Sequence, residues 1–280
     1  MIKIPAGERR TVDQLKKAYE IEKELSSEQR DADKEQRKKA YTAAYNEWNA
    51  RVFHDQHLSP SNGVKGYRRA VLDQMKMLKR FLRPNYSFLE IGPGDCGLVV
   101  EMAKLVKEVY AVDVARRPED SCPLPLHGKF IITDGCSIPL PPESIDIAYS
   151  NQVLEHLHPE DVGEQLGNIY DVLTPGGIYL CVTPNRFYGP HDISGYFDEV
   201  ASGFHIKEYT VTELVEIFKK TGFSKCRLLI GAGGYYITCP TYPVRWIERL
   251  LNKLPHSLSR KISFFLPLRL LLGIKLVATK

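Results

Sequence analysis

Apolar positions along the chain change period repeatedly from about residue 86 onward. Short β-branched or aromatic runs at Ser87–Ile91, Glu108–Val114, Phe130–Thr133, Ile145–Ser150 and Ile178–Thr183 alternate with stretches of helical spacing at Leu98–Val106, Val162–Leu173 and Val211–Lys220. Strands separated by helices predict right-handed βαβ crossovers, and so a mostly parallel sheet covered on both faces. The last of these helices has both ends written in the sequence: Thr210 with Glu213 makes a capping box, and Gly222 supplies the left-handed turn that stops it. Ser224–Ile230 and Gly273–Lys280 read as two final strands. The stretch between them, about 235–272, is too long for a hairpin connection, so a helical insertion before the last strand is expected.

Upstream, Thr11–Arg51 carries dense mixed charge and then Tyr41, Tyr45, Trp48 and Val52 at helical spacing. This pattern predicts one or two helices, solvated in the middle and docked by the aromatic stripe, with plain packing expected ahead of a ligand-stacking role. A Ser-, Pro-, Asn- and Gly-rich loop at Ser59–Gly66 leads into a helix over Tyr67–Leu82 that Pro84 and Asn85 close. The expected organisation is an N-terminal helical extension at 1–65 and one α/β domain at 66–280.

Composition narrows the class. With 280 residues, 43% apolar and 26% charged, the chain is no disordered tract, collagen or disulfide miniprotein. Its net charge of +4 is uneven: residues 241–280 hold eight bases and one acid, a net of +7 that leaves −3 on the rest. A nucleic-acid footprint over the whole surface is therefore not expected. Within the basic segment, Trp246, Ile247, Leu250, Leu251 and Leu254, then Leu258, Ile262 and Phe265, suggest amphipathic helices bearing Arg245, Arg249, Lys253, Arg260 and Lys261. Packing on the sheet or closing over a substrate is expected ahead of peripheral membrane contact through 241–272.

Cys96, Cys122, Cys136, Cys181, Cys226 and Cys239 show no CxxC spacing, which suggests reduced thiols in a cytoplasmic protein. Met1–Arg10 has no apolar run resembling a signal peptide, and the apolar segment Ile262–Ile274 is short and broken by Pro267, Arg269 and Gly273. No transmembrane anchor is expected.

Between the first strand and its helix stands Leu89-Glu90-Ile91-Gly92-Pro93-Gly94-Asp95-Cys96-Gly97, with Asp113 at the end of the next strand. The spacing matches the GxGxxG dinucleotide fingerprint with its ribose-binding acid. Glu90, however, sits where it would repel a pyrophosphate and welcome a cationic amino-acid group. Asp134-Gly135 offers a further acceptor to an adenine amino group, and Leu173-Thr174-Pro175-Gly176-Gly177 makes a tight turn into the fifth strand.

The runs FLEIGPGDCG, VYAVDVA, ITDGCSIPLPPESIDIAYSNQVLEHL and LTPGGIYLCVTPN resemble the successive motifs of class I S-adenosylmethionine-dependent methyltransferases, in the small-molecule branch of that superfamily. The resemblance spans roughly 66–230. It implies a doubly wound, mostly parallel, seven-stranded Rossmann-like sheet whose last strand is antiparallel, and a cofactor lying across the carboxyl ends of the first strands. By the same resemblance Glu90, Gly92, Gly94 and Gly97 would wrap the methionine part, Asp113 would hold the ribose, Asp134 and Gly135 would face adenine, and Asn151 would sit beside the methyl group.

Methyl transfer to a hydroxyl needs alignment and a base. Three candidates lie in segments after the fourth and fifth strands: His156, His191 and His205. Glu155, His156 and His205, with Gln152, also resemble the ligand set of metal-using RNA 2′-O-methyltransferases, but Gln152 stands where that set has an acid. A structural hydrogen-bond network is the third reading, and no metal is assigned. The expected activity is methylation of a small molecule, at a hydroxyl of a sugar, polyketide or other secondary metabolite, with an amine nitrogen as the alternative. From other classes, a NAD(P)-dependent oxidoreductase and a non-catalytic membrane-associated nucleoside-binding protein compete.

Overall fold

The computed structural model describes residues 8–53, 64–115 and 122–280, and its strands form one sheet in the order β3-β2-β1-β4-β5-β8-β6-β7. They are β1 (Ser87–Ile91), β2 (Glu108–Asp113), β3 (Gly128–Ile132), β4 (Ile145–Asn151), β5 (Leu173–Thr183), β6 (Lys225–Ala232), β7 (Tyr235–Pro240) and β8 (Ile274–Thr279). β1 to β5 pair in parallel, while β8 runs antiparallel between β5 and β6. Every residue of β1 is buried, as expected of a strand covered on both faces. Because β1 is flanked by β2 on one side and β4 on the other, the chain reverses its winding there and leaves a crevice at their carboxyl ends.

The sheet has eight strands, one more than the resemblance implies. Gly233 and Gly234, with φ of 62° and 95°, make the two-residue turn that folds Tyr235–Pro240 back on β6. The insertion expected from residue 235 is thereby reduced to three short helices, α7 (Tyr242–Leu251), α8 (His256–Ser263) and α9 (Leu266–Leu272). Preceding them in the chain are α1 (Val12–Asp31), α2 (Lys34–Trp48), α3 (Val64–Leu78), α4 (Gly97–Met102), α5 (Pro159–Val172) and α6 (Val211–Thr221). Capping boxes open α1, α2 and α6, through Thr11 with Gln14, Asp33 with Gln36, and Thr210 with Glu213. Gly222 closes α6 at φ 119°. The loop expected at Ser59–Gly66 falls mostly outside the described residues.

α1 and α2 are fastened over the crevice by two devices. Arg37 (3% exposed) donates from Nε and Nη2 to both oxygens of Asp161 (1% exposed), at 2.8 and 2.9 Å, and the Tyr41 hydroxyl donates to the same carboxylate at 2.7 Å. The apolar face of α1, from Leu15 through Leu25, packs on Ile193 and Phe204 in the segment that follows β5. Of the aromatic stripe, Tyr41 and Val52 are buried as packing requires, whereas Tyr41, Tyr45 and Trp48 also line the cavity described below.

The expectation that all six cysteines are free thiols needs correction. Cys96 and Cys122 are joined by a disulfide, with Cα atoms 5.0 Å apart, and Cys136, Cys181, Cys226 and Cys239 are free. Spacing along the chain does not carry this contact, which arises when the connection after β2 returns to the glycine loop. With it goes the inference from cysteine usage to a reducing compartment. Among the described residues, no helix is long and apolar enough to cross a membrane.

Candidate active site

A cavity of about 510 Å³ occupies the crevice and extends beneath α1 and α2. Its inner half is made by Gly92 and Gly94 after β1, Asp113 at the end of β2, and Thr133 and Gly135 after β3. Gly92 holds φ +66°, and a Cβ there would come within 2.5 Å of Val153 Cγ2, so this position needs a residue without a side chain. Asp113 Oδ1 accepts the Val114 amide at 2.7 Å, which fixes the carboxylate at the strand end.

Below the glycine loop Glu90 is 5% exposed and its Oε2 has no hydrogen-bond partner. Burial, with the charges of Asp95 and Asp113, pushes its carboxyl well above the ordinary carboxylate range. A buried acid with one unmet oxygen beneath a two-glycine cradle suits a ligand that brings a cation. Gln165 adds a second unmet atom: its Nε2 donates to the Gly135 carbonyl at 2.6 Å, leaving Oε1 unpartnered.

Of the expected cofactor residues, Gly92, Gly94, Asp113 and Gly135 line this cavity, and Glu90, Gly97, Asp134 and Asn151 do not. Asp134 is committed to the turn after β3, accepting from the amides of Cys136 and Ser137 at 2.9 and 2.7 Å. Gly97 opens α4 with its amide on Asp95 Oδ1, and Asn151 ends β4. Thr133 and Gln165 were not foreseen, since a lone Thr or a helical Gln carries no spacing signal.

The outer half brings all three candidate histidines together, from segments after β4 and β5. Glu208 organises two of them. His205 Nδ1 lies 2.8 Å from its Oε1 and His191 Nδ1 lies 3.1 Å from its Oε2. Despite burial, these two bonds pull the Glu208 carboxyl down to about 2. Nδ1–H of His205 therefore points to Glu208, and Nε2 is left for the cavity that the ring lines. Burial works against a charged His205, but the Glu208 bond and the charges of Glu155, Asp192 and Glu208 outweigh it and raise its pKa.

His156 is set up differently. Its Nδ1 donates to the Phe204 carbonyl at 3.0 Å, and burial, with the neighbouring His205, pushes it down to about 3, so it stays neutral. Its ring meets that of His205 edge-on at 4.9 Å. Underneath, Glu155 is fully buried, accepts from Thr183 Oγ1 at 2.9 Å through Oε2, and leaves Oε1 without a partner. Burial pushes its carboxyl up to about 7. Glu155, His156 and His205 offer ligand atoms within 4.8 Å of one another, a set with the composition of a metal site. The remaining wall is aromatic, with Tyr45, Trp48, Tyr196 and Phe204, and carries the carboxylates Glu22 and Asp192. Trp48 Nε1 donates to Glu22, whose burial pushes it up to about 7.

Residues 89–181 match the family described as a methyltransferase domain. A probable S-adenosylmethionine-dependent methyltransferase of Mycolicibacterium smegmatis is 36% identical over 86 residues, 31% of this chain and 31% of that protein, so the match spans about a third of the curated relative. Phosphoethanolamine N-methyltransferase 1 of Haemonchus contortus, solved with phosphoethanolamine and S-adenosylhomocysteine, shares the fold at a TM-score of 0.51 and 15% identity, covering 66% of this chain and 40% of that one. A SAM-dependent methyltransferase from Archaeoglobus fulgidus is similar at a TM-score of 0.49 and 20% identity, over 78% of this chain and 95% of that one.

Proposed function

We propose that the chain, whose residues 89–181 match a methyltransferase domain, is a class I S-adenosylmethionine-dependent methyltransferase that methylates a hydroxyl oxygen of a small-molecule acceptor with His205 as general base. When bound, S-adenosylmethionine supplies a methyl carbon activated by a cationic sulfur. Gly92, Gly94, Asp113 and Gly135 hold it from the inner wall, and the unpartnered Oε2 of buried Glu90 lies beneath the methionine end, where the ligand's cation would favour the ionised carboxylate. Replacing Gly92 with Ala, at positive φ and against Val153, is expected to weaken S-adenosylhomocysteine binding by about tenfold or more, read by isothermal titration.

The observation that carries the hydroxyl reading is the bond between His205 Nδ1 and Glu208 Oε1 at 2.8 Å. It orients the ring, keeps Nε2 as the proton acceptor, and stabilises the imidazolium that forms when the hydroxyl gives up its proton. Neutral His156, its Nδ1–H held by the Phe204 carbonyl, packs edge-on against the His205 ring and steadies it. Tyr45, Trp48 and Phe204 exclude water and supply flat walls, which suit a ring-bearing acceptor such as a sugar or polyketide.

Glu22 and Asp192 on the same wall favour a second reading, an acceptor held by its ammonium and methylated on nitrogen. The two separate in one assay: methyl-labelled S-adenosylmethionine with matched phenols, sugar alcohols and amines, products read by mass spectrometry. Label on oxygen is expected. Label confined to nitrogen would overturn the hydroxyl assignment.

A further inference from the structure

Eighteen large hydrophobic side chains are exposed among the described residues, and twelve of them lie between Tyr235 and Leu270. They fall in β7 and in the segment α7–α9, and the sequence of that segment repeats a unit. Trp246, Arg249, Leu250 and Lys253 run along one side of α7 and its end, and Leu258, Lys261, Ile262 and Phe265 along one side of α8. Leu266, Arg269 and Leu270 repeat the spacing on α9. In each unit a base follows an apolar residue by three positions and an apolar residue follows the base, which places them on one helix face. Trp246, Phe265 and Leu266 are 61%, 69% and 66% exposed.

The charge of these helices is mostly positive, with Glu216 paired to Arg245 and Glu199 3.9 Å from His256 as acids from neighbouring segments. The sole acid in 241–280, Glu248, is 1% exposed and turned inward, where it accepts from the Val211 and Thr212 amides at 2.7 and 2.8 Å and so caps α6. Outward-facing Arg249, Lys253, Lys261 and Arg269 have no acid of their own segment to neutralise them.

We propose that α7–α9 dock the enzyme on an anionic phospholipid bilayer, the helices lying in the interface with their apolar side chains among the acyl chains and their bases at the phosphates. Helices of ten, eight and seven residues lie on such a surface and do not cross it. A second copy of the chain suits this face poorly, since a two-fold contact would set the same bases against each other. The segment also reaches the cavity: Phe264 meets the Tyr188 ring, and Tyr188 packs edge-on at 4.6 Å against His191 on the cavity wall. Docking there would place the acceptor half of the cavity near the lipid surface, a consequence that rests on the hydroxyl-methylation reading although the docking itself does not.

The test is co-sedimentation of the full chain with vesicles of phosphatidylcholine alone or mixed with phosphatidylglycerol. Binding to the mixed vesicles at low salt, weakening as salt is raised, is expected. Arg249→Glu with Lys253→Glu and Lys261→Glu should reduce it by about a hundredfold or more, and Trp246→Ser with Phe265→Ser should reduce it without changing the salt dependence. Each variant should keep its stabilisation by S-adenosylhomocysteine, which separates lost docking from lost folding and from failure of the methyltransferase reading. No sedimentation of the parent chain, undiminished binding by the charge-reversed variant, or self-association abolished by Trp246→Ser would overturn the proposal.

Discussion

Replacing His205 with Ala is expected to lower kcat by about 10²- to 10⁴-fold, the range of a lost general base, while S-adenosylhomocysteine still binds. The pH profile makes the role specific. A base must be neutral to act, and His205 is held above its ordinary value of 6.5 by Glu208, Glu155 and Asp192 against the effect of burial. The rate should therefore rise with pH and reach half its plateau above 6.5. Protonated His205 also stabilises the fold, a contribution present at low pH and lost as pH rises through the folded pKa. Glu208→Gln removes the negative charge opposite Nδ1, so the acid limb should move to lower pH while the plateau falls. A purely structural histidine would lower stability without moving that limb, and full turnover in His205→Ala would end its assignment as base.

Arg37→Ala should destabilise the protein by about 3–5 kcal/mol, because it leaves the Asp161 carboxylate buried without its guanidinium. Denaturant midpoints at constant m measure this. Arg37→Met combined with Asp161→Leu should recover most of the loss, since neither charge then remains. The sign with pH follows from the shift. Burial raises Asp161, but the Arg37 and Tyr41 bonds outweigh it and hold the carboxyl below its ordinary 3.8. Its contribution is thus full above 3.8 and lost as pH falls through the lower folded value, so acid unfolding should begin at higher pH in Arg37→Ala. The same variant should raise the acceptor KM, because α2 carries Tyr45 and Trp48 to the cavity wall.

The parallel half of the sheet is legible in the sequence because strands buried on both faces leave short, mostly apolar runs, as Phe88, Leu89 and Ile91 do around Glu90. Cap chemistry is equally local, so the ends of α6 are readable from Thr210, Glu213 and Gly222 alone. β7 is harder. Its residues are mostly exposed, and the turn at Gly233 and Gly234 is its clearest signal, so it merges with the helices that follow. The glycine loop and Asp113 carry spacing that marks them, whereas Glu208, three residues after His205, gains its role only when His191 folds back onto it. Glu22 and Trp48 reach the acceptor wall only because α1 and α2 fold back over the crevice. The Cys96–Cys122 bond is tertiary in the same sense.

Thermal unfolding with S-adenosylhomocysteine or with NAD and NADP, in the parent chain and in Asp113→Ala, separates a methyl-donor site from a dinucleotide site. At about a hundredfold excess over Kd the right ligand adds about 2.7 kcal/mol of stability. S-adenosylhomocysteine should raise the Tm of the parent chain, do so much less in Asp113→Ala, and be matched by neither dinucleotide. Stabilisation by NAD or NADP with none by S-adenosylhomocysteine would contradict the assignment of the cavity.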